Sequence, residues 1–369
     1  MRIRVLFLIP SLRGGGSERV MVTLLNHLDR SRFQLALGVV DMRGAVFRDD
    51  VPADVEIIDL NCSRVRYAIP KILGLVRSMR PRVVFSTLGH LNLALAVVKP
   101  LLPRGVRLIG RESIVVSRGL SSYKLPGLWA WGYRRFYPRL DRVVCQSRDM
   151  REDLVELFAF PECRTTVINN PVDINRVRYL AKESIPAESD PFFSRNEAIH
   201  LVAAGRLDFQ KGFDLLIEAV ALCQDERLYV SLLGEGPLEE DLYRLSEEHG
   251  VAGQLRFLGF QKNPYPFFAR ADAFVLSSRY EGFPNVVIEA LACGTPVIAT
   301  PAPGGTCEIL ASIPACELAD AITAPSLATA IRCWLARHPG RVGDEEVAPY
   351  QVAQIVRKYE EEILRVATL

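Results

Sequence analysis

Short apolar, β-branched runs alternate with longer stretches whose apolar residues recur at helical spacing. In the first half the strand-like runs are 4–9, 34–40, 55–60, 83–86, 106–109 and 142–145, and the helix-like ones are 18–28, 67–79 and 148–158. Strands that are apolar nearly throughout and are joined by helices predict a parallel sheet covered on both faces. Asn169-Asn170-Pro171-Val172-Asp173 closes the series in turn residues, and the polar, proline-containing stretch 181–197 follows as a boundary. The alternation then restarts, with strands expected at 200–204, 228–233, 255–258, 273–276 and 297–299 and helices at 213–222, 238–248 and 285–292. The expected fold class is α/β, with two doubly wound, Rossmann-like domains that face each other. Residues 1–172 form the first, residues 173–349 the second, and a last helix of about 350–369 packs back on the first.

A chain of 369 residues is long enough for two such cores. The apolar stretch 5–10 is short and runs into Gly14, Gly15 and Gly16, and later apolar runs are broken by Asn92 and Lys99, so a soluble or peripheral protein is expected. Eight cysteines lack the two-residue spacing of zinc or redox motifs, which predicts reduced thiols and no metal. Glu239-Glu240-Asp241 fits a solvated helix face better than a cation loop. The net charge of +2 conceals an asymmetry: residues 1–178 carry 29 Lys+Arg against 16 Asp+Glu, and residues 179–369 carry 16 against 27. A basic first half favours an anionic membrane or a phosphorylated acceptor, whereas its arginines are too dispersed for a nucleic-acid motif.

The candidate chemistry gathers after strand ends, where open parallel sheets bind ligands. Arg206 and Lys211, in Gly205-Arg206-Leu207-Asp208-Phe209-Gln210-Lys211-Gly212, offer two cations to a diphosphate. Pro284 and Asn285 open a helix whose first amides can receive another anion. Glu281 and Glu289 stand eight residues apart on either side of that helix start. Ionised carboxylates are acceptors only, so beside a phosphate cradle they suit ribose and sugar hydroxyls.

This ordered set, with the early loop Gly14-Gly15-Gly16-Ser17-Glu18-Arg19 and the boundary motif Asn169 to Asp173, resembles the retaining glycosyltransferases of family four over nearly the whole chain. The resemblance implies the GT-B fold, and within the family the chain is similar to the branch that extends polyprenyl-diphosphate-linked glycans, as in lipopolysaccharide and undecaprenyl diphosphate-linked polysaccharide biosynthesis. It assigns Glu281 to donor-sugar hydroxyls, Glu289 to the ribose, and Arg206 and Lys211 to charge on the leaving diphosphate. The remaining donor-binding set is Gly15, Gly16, the backbone of Gly259 and Phe260 toward the base, and Gly282, Phe283, Pro284, Asn285, Val286 and Val287. On the acceptor side the candidates are His90, Arg111, Glu112 and Lys71, Glu112 standing where the family often has a histidine. The family also usually carries a glycine-containing loop after the last donor-side helix, whereas here Cys307-Glu308-Ile309-Leu310 runs into the compact stretch 311–316.

Each residue also has a plainer reading. Arg206 and Lys211 are then surface cations, Glu281 a first-turn carboxylate favoured by the helix dipole, Gly15 and Gly16 a tight turn, and Arg111, Glu112 and His90 parts of a buried ion pair or a satisfied core. The expected activity is transfer of a hexose or N-acetylhexosamine from a nucleotide diphosphate sugar, a UDP-sugar by preference, to a lipid-linked glycan. It proceeds with retention and without metal or cofactor, in a monomer held on the inner face of the cytoplasmic membrane. Basic aromatic stretches around residues 64–82 and 118–139 suit lipid headgroups or a solvated face. The alternatives are a catalytically silent nucleotide-sugar binder at a membrane and an epimerase on the same scaffold.

Overall fold

The computed structural model describes residues 2–121, 123–185, 198–337 and 339–369. Most of the stretch 181–197, expected as the boundary, lies outside them. The chain divides into two compact units, Met1–Pro171 with Val352–Leu369, and Val172–Gln351. The two crossings adjoin: Val172 bridges Gln351, and its N–H donates to the Tyr350 carbonyl at 3.0 Å.

In the first unit seven parallel strands run in the order β3-β2-β1-β4-β5-β6-β7. They are β1 Ile3–Ser11, β2 Phe33–Asp41, β3 Glu56–Asp59, β4 Val83–Thr87, β5 Arg107–Arg111, β6 Arg142–Cys145 and β7 Thr165–Val167. Alternate residues of β1 enter different cores, Val5, Phe7 and Ile9 on one face and Leu6 and Leu8 on the other, because side chains alternate along a strand. A sheet buried on both faces is why these strands are apolar throughout. The last helix, Val352–Thr368, places Ile355, Tyr359 and Ile363 in the core with Phe7 and Phe85. Its Glu360 accepts from the Asp29 N–H at 2.8 Å and pairs with Arg32 at 3.1 Å.

The second unit repeats the plan with six parallel strands, β10-β9-β8-β11-β12-β13. Here β8 is Ile199–Ala204, β9 Leu228–Leu233, β10 Leu255–Phe257, β11 Ala273–Leu276, β12 Val297–Ala299 and β13 Glu317–Leu318. Strand order reverses between β8 and β11, so the loops that leave their carboxyl ends are splayed and leave a crevice.

Candidate active site

The second unit assembles its site from four loops. Leaving β8, Gly205 lies under the stem of Lys211, whose Cε would stand 3.0 Å from a Cβ added at Gly205. Gly212 has φ +61°, and a Cβ there would collide with the Ser277 carbonyl. Only glycine meets both demands, so the turn that aims Lys211 depends on it. Asp208 accepts from the Lys211 N–H at 3.3 Å and caps the short turn before it.

Lys211 and Glu281, 70 positions apart, meet directly: Nζ donates to Oε1 at 2.6 Å, and the Ser278 hydroxyl donates to the same oxygen at 2.6 Å. Both charges are largely withdrawn from water, with side chains 19% and 7% exposed. The cation expected for phosphate and the carboxylate expected for sugar thus form one ion pair. Arg206 is different. Its side chain is 73% exposed and its nearest carboxylate oxygen, on Asp208, is 3.9 Å away. Glu289 is buried one turn into the helix Asn285–Ala292, whose start is Pro284, with Phe283 packed near Tyr350 at a 5.8 Å ring separation. Val287 donates its N–H to the Pro284 carbonyl at 3.0 Å, so the first amide partners lie within the opening turn.

Two loops were missed in the sequence. Gly234-Glu235-Gly236 leaves β9 and packs on the first loop: Leu207 donates to the Glu235 carbonyl at 3.0 Å, and Cβ atoms at Gly234 or Gly236 would strike the carbonyls of Gly205 or Leu207. Two glycines directly after an apolar strand were the available signal. The second corrects an expectation, because a glycine-containing loop is present, ahead of the short helix Thr306–Leu310 rather than after it. Gly305 donates to the Gly282 carbonyl at 2.8 Å, Glu281 donates to the Pro303 carbonyl at 2.9 Å, and Gly304 has φ +119°. A Cβ at Gly304 would lie 2.7 Å from the Gly282 carbonyl oxygen and closer still to that of Glu281. This loop therefore clamps the backbone that carries Glu281. Gly259 and Phe260 lie just beyond β10; the Gly259 carbonyl already accepts from Gly234 at 2.8 Å, and the Phe260 N–H faces Glu235 Oε1 at 3.4 Å.

In the first unit Gly15 precedes the helix Gly16–His27, and its missing Cβ makes room for a carboxylate of the chain itself. Glu18 folds back over Gly15 and accepts from the Ser11 hydroxyl at 3.1 Å. The side chain of Arg111, at the end of β5, is 0% exposed and is spent on Thr87 Oγ1 at 3.2 Å, Tyr359 Oη at 3.2 Å and Asn170 Oδ1. It braces the sheet, the last helix and the turn at Asn170. Lys71 donates to the Leu60 carbonyl at 2.7 Å and is thereby held on its own helix flank.

Glu112 forms the centre of a buried polar cluster. Asn92 Nδ2 donates to its Oε1 at 3.2 Å, and its carbonyl accepts from Gln146 Nε2 at 2.5 Å. Gly89 has no Cβ, and the space is filled by the Tyr133 hydroxyl with Glu112 Oε2, which would stand 3.1 Å from such a Cβ. Burial pushes the Glu112 carboxyl up to about 7, against the Asn92 hydrogen bond and the charge of Arg111. The half-buried His90, beside Gly89, is lowered by burial. Among the described residues no group of three His, Cys, Asp or Glu is placed to hold a metal, and no helix is long and apolar enough to cross a membrane.

Two family models match the chain, Glycosyltransferase Family 4 over residues 14–176 and Glycosyl transferases group 1 over residues 185–339. The N-acetylgalactosamine-N,N'-diacetylbacillosaminyl-diphospho-undecaprenol 4-alpha-N-acetylgalactosaminyltransferase of Campylobacter jejuni is 29% identical over 313 residues, 82% of this chain and 81% of that protein. The lipopolysaccharide core biosynthesis glycosyltransferase LpsE of Rhizobium meliloti is 29% identical over 297 residues, 79% of this chain and 77% of its own. Among solved structures, HepE of Anabaena in complex with UDP and glucose superposes with a TM-score of 0.80 at 17% identity, covering 99% of this chain and 100% of that one. WaaG, a glycosyltransferase involved in lipopolysaccharide biosynthesis, gives 0.70 at 15% identity, covering 97% and 95%. Similarity of this kind shows the fold, which is GT-B.

Proposed function

Because the chain belongs to glycosyltransferase family four, we propose that it moves a hexosyl or N-acetylhexosaminyl group from a UDP-sugar to a lipid-linked glycan, with retention at the anomeric carbon. The observation that carries the reading is the buried Lys211–Glu281 pair beside exposed Arg206, clamped by the glycine loops. When a donor arrives, its diphosphate competes with Glu281 for Lys211, and its sugar hydroxyls compete with Lys211 for Glu281. A preformed ion pair is thus exchanged for two charge-assisted contacts of matching sign, so neither charge is left buried alone. Arg206, still in water, completes the cation set and stabilises charge on the departing UDP as the bond from C1 to the phosphate oxygen breaks. The acceptor hydroxyl forms the new bond to C1, and its proton leaves on the released diphosphate. With two cations and the helix start at Asn285 supplying positive charge, the reaction proceeds without a metal ion.

The donor assignment draws support from HepE structures that carry UDP and UDP-glucose, and the acceptor from the names of the Campylobacter and Rhizobium relatives. A lipid-linked acceptor calls for a peripheral position on the inner face of the cytoplasmic membrane. The positive first half and the exposed Leu125, Leu128 and Trp131 on and beside the arginine-bearing helix Pro126–Phe136 fit such a surface. The test is a panel of labelled nucleotide sugars incubated with membrane lipid extract. Label enters the lipid fraction from one UDP-sugar, and Glu281→Ala abolishes it; incorporation that survives Glu281→Ala, or no incorporation from any donor, refutes the proposal.

A further inference from the structure

A cavity of about 290 Å³ opens at the amino-terminal ends of two central strands of the first sheet, opposite the strand carboxyl ends, where Arg82 leads into β4 and Arg104 precedes β5. Its walls are Arg80, Pro81, Arg82, Pro103, Arg104 and Gly105, and no carboxylate lines it. The walls are shaped by unusual backbone. Arg80 closes the helix Val65–Met79 at φ +48°, and Gly105 has φ +87°, where a Cβ would sit 3.3 Å from an Arg82 nitrogen. Arg82 is the fixed floor, donating from Nε to the Ala367 carbonyl at 2.6 Å and from Nη1 to the Gly105 carbonyl at 3.1 Å.

The side chains of Arg80 and Arg104 are exposed and form no hydrogen bond or ion pair with any described residue. Some exposed guanidiniums elsewhere do meet carboxylates, Arg43 and Arg13 with Asp41 and Arg227 with Asp225. Residues 60–140 hold 15 Lys+Arg and one acidic residue, Glu112, whose side chain is buried at the other end of β5. Five residues of strand, roughly 16 Å at about 3.3 Å each, separate the cavity from that end. Crowding three cations around a concavity without a carboxylate costs Coulomb energy, which a multiply charged anion reverses.

We propose that this cavity is an accessory site for a phosphate or diphosphate group, gripped by Arg80 and Arg104 above Arg82. Guanidinium forks match phosphate oxygens in pairs, and phosphate monoesters carry close to two charges at neutral pH. The site goes beyond the transfer reaction and does not depend on it, since Arg206, Lys211 and Glu281 belong to the second unit. The same chemistry comes from a lipid headgroup or from a free phosphate compound.

The experiment compares the full chain with the double variant Arg80→Ala, Arg104→Ala. Each is titrated with inorganic pyrophosphate by calorimetry and co-sedimented with phosphatidylcholine vesicles containing phosphatidic acid. Pyrophosphate held at the donor site contributes equally to both proteins, so the difference belongs to the cavity. Loss of two charge-assisted contacts weakens binding by roughly tenfold or more. Weakening for pyrophosphate alone identifies a free phosphate ligand, and weakening for vesicles identifies a headgroup. Unchanged binding of both probes, or no binding of either to the unaltered chain, overturns the proposal. Both side chains are exposed, so the melting temperature stays unchanged; should the variant melt early, Arg80→Lys with Arg104→Lys keeps stems and charge, loses the fork and binds with intermediate strength.

Discussion

Replacing Glu112 by glutamine isolates the free-energy cost of a charge in the core. The carboxyl is buried among Asn92, Gly89, Tyr133 and Gln146, with Arg111 beside it in sequence and Asp153 and Tyr123 within electrostatic reach. Burial raises it from the usual 4.5 to about 7. Between those values the unfolded chain releases the proton while the folded chain keeps it, so the contribution of Glu112 to stability is full below pH 4.5 and falls as the pH rises. It is lost by pH 7 and changes little above. At 1.36 kcal/mol per pH unit the fall is about 3 kcal/mol as an order of magnitude. Glutamine keeps the shape and an oxygen that accepts from Asn92, but never ionises. Glu112→Gln and the unaltered chain therefore have similar stability at pH 5, and the variant gains up to about 3 kcal/mol by pH 8. Urea unfolding followed by tryptophan fluorescence, with Trp129 and Trp131 in the affected unit, measures this at each pH. All other titrating groups cancel in the difference. Two pH profiles that run parallel from 5 to 8 would show that the core does not resist ionisation of Glu112.

The Lys211–Glu281 pair gives a second test. Lys211→Met alone or Glu281→Gln alone strands one buried charge and costs about 3 kcal/mol in unfolding free energy, whereas the double variant recovers most of that loss and still incorporates no sugar; additive losses would refute the pairing. The two glycine loops differ in kind. Gly15→Ala meets only the far end of the Glu18 side chain, so its cost in unfolding free energy stays within the range of surface substitutions, about 0.5 kcal/mol, while Gly304→Ala meets two backbone carbonyls at a positive φ and costs more than about 1 kcal/mol. Equal melting curves for the two variants would contradict the geometry at Gly304.

Alternation of strand and helix was legible from local pattern, because apolar runs and helical spacing are properties of neighbouring residues. Val83–Thr87 and Asn285–Ala292 emerged where those patterns placed them. The glycine-bracketed Arg206 to Gly212 and the spaced glutamates were equally visible, since helix starts and strand ends position their own few residues. Pro301 to Gly305 carries a turn signal too, two prolines and two glycines in five residues, but nothing local shows that it packs on the backbone of Glu281 and Gly282.

What sequence alone determined, then, was the class of fold, the order of elements and the residue types able to hold phosphate and hydroxyl groups. Only the tertiary structure decided who meets whom. Lys211 finds Glu281 across 70 positions because β8 and β11 are neighbours in the sheet, and Arg111 finds Tyr359 across 248 because the last helix returns to the first core. Whether a cation stays in water, like Arg206, or is consumed in the interior, like Arg111, depends on burial and on partners distant in the chain, and no local pattern encodes either.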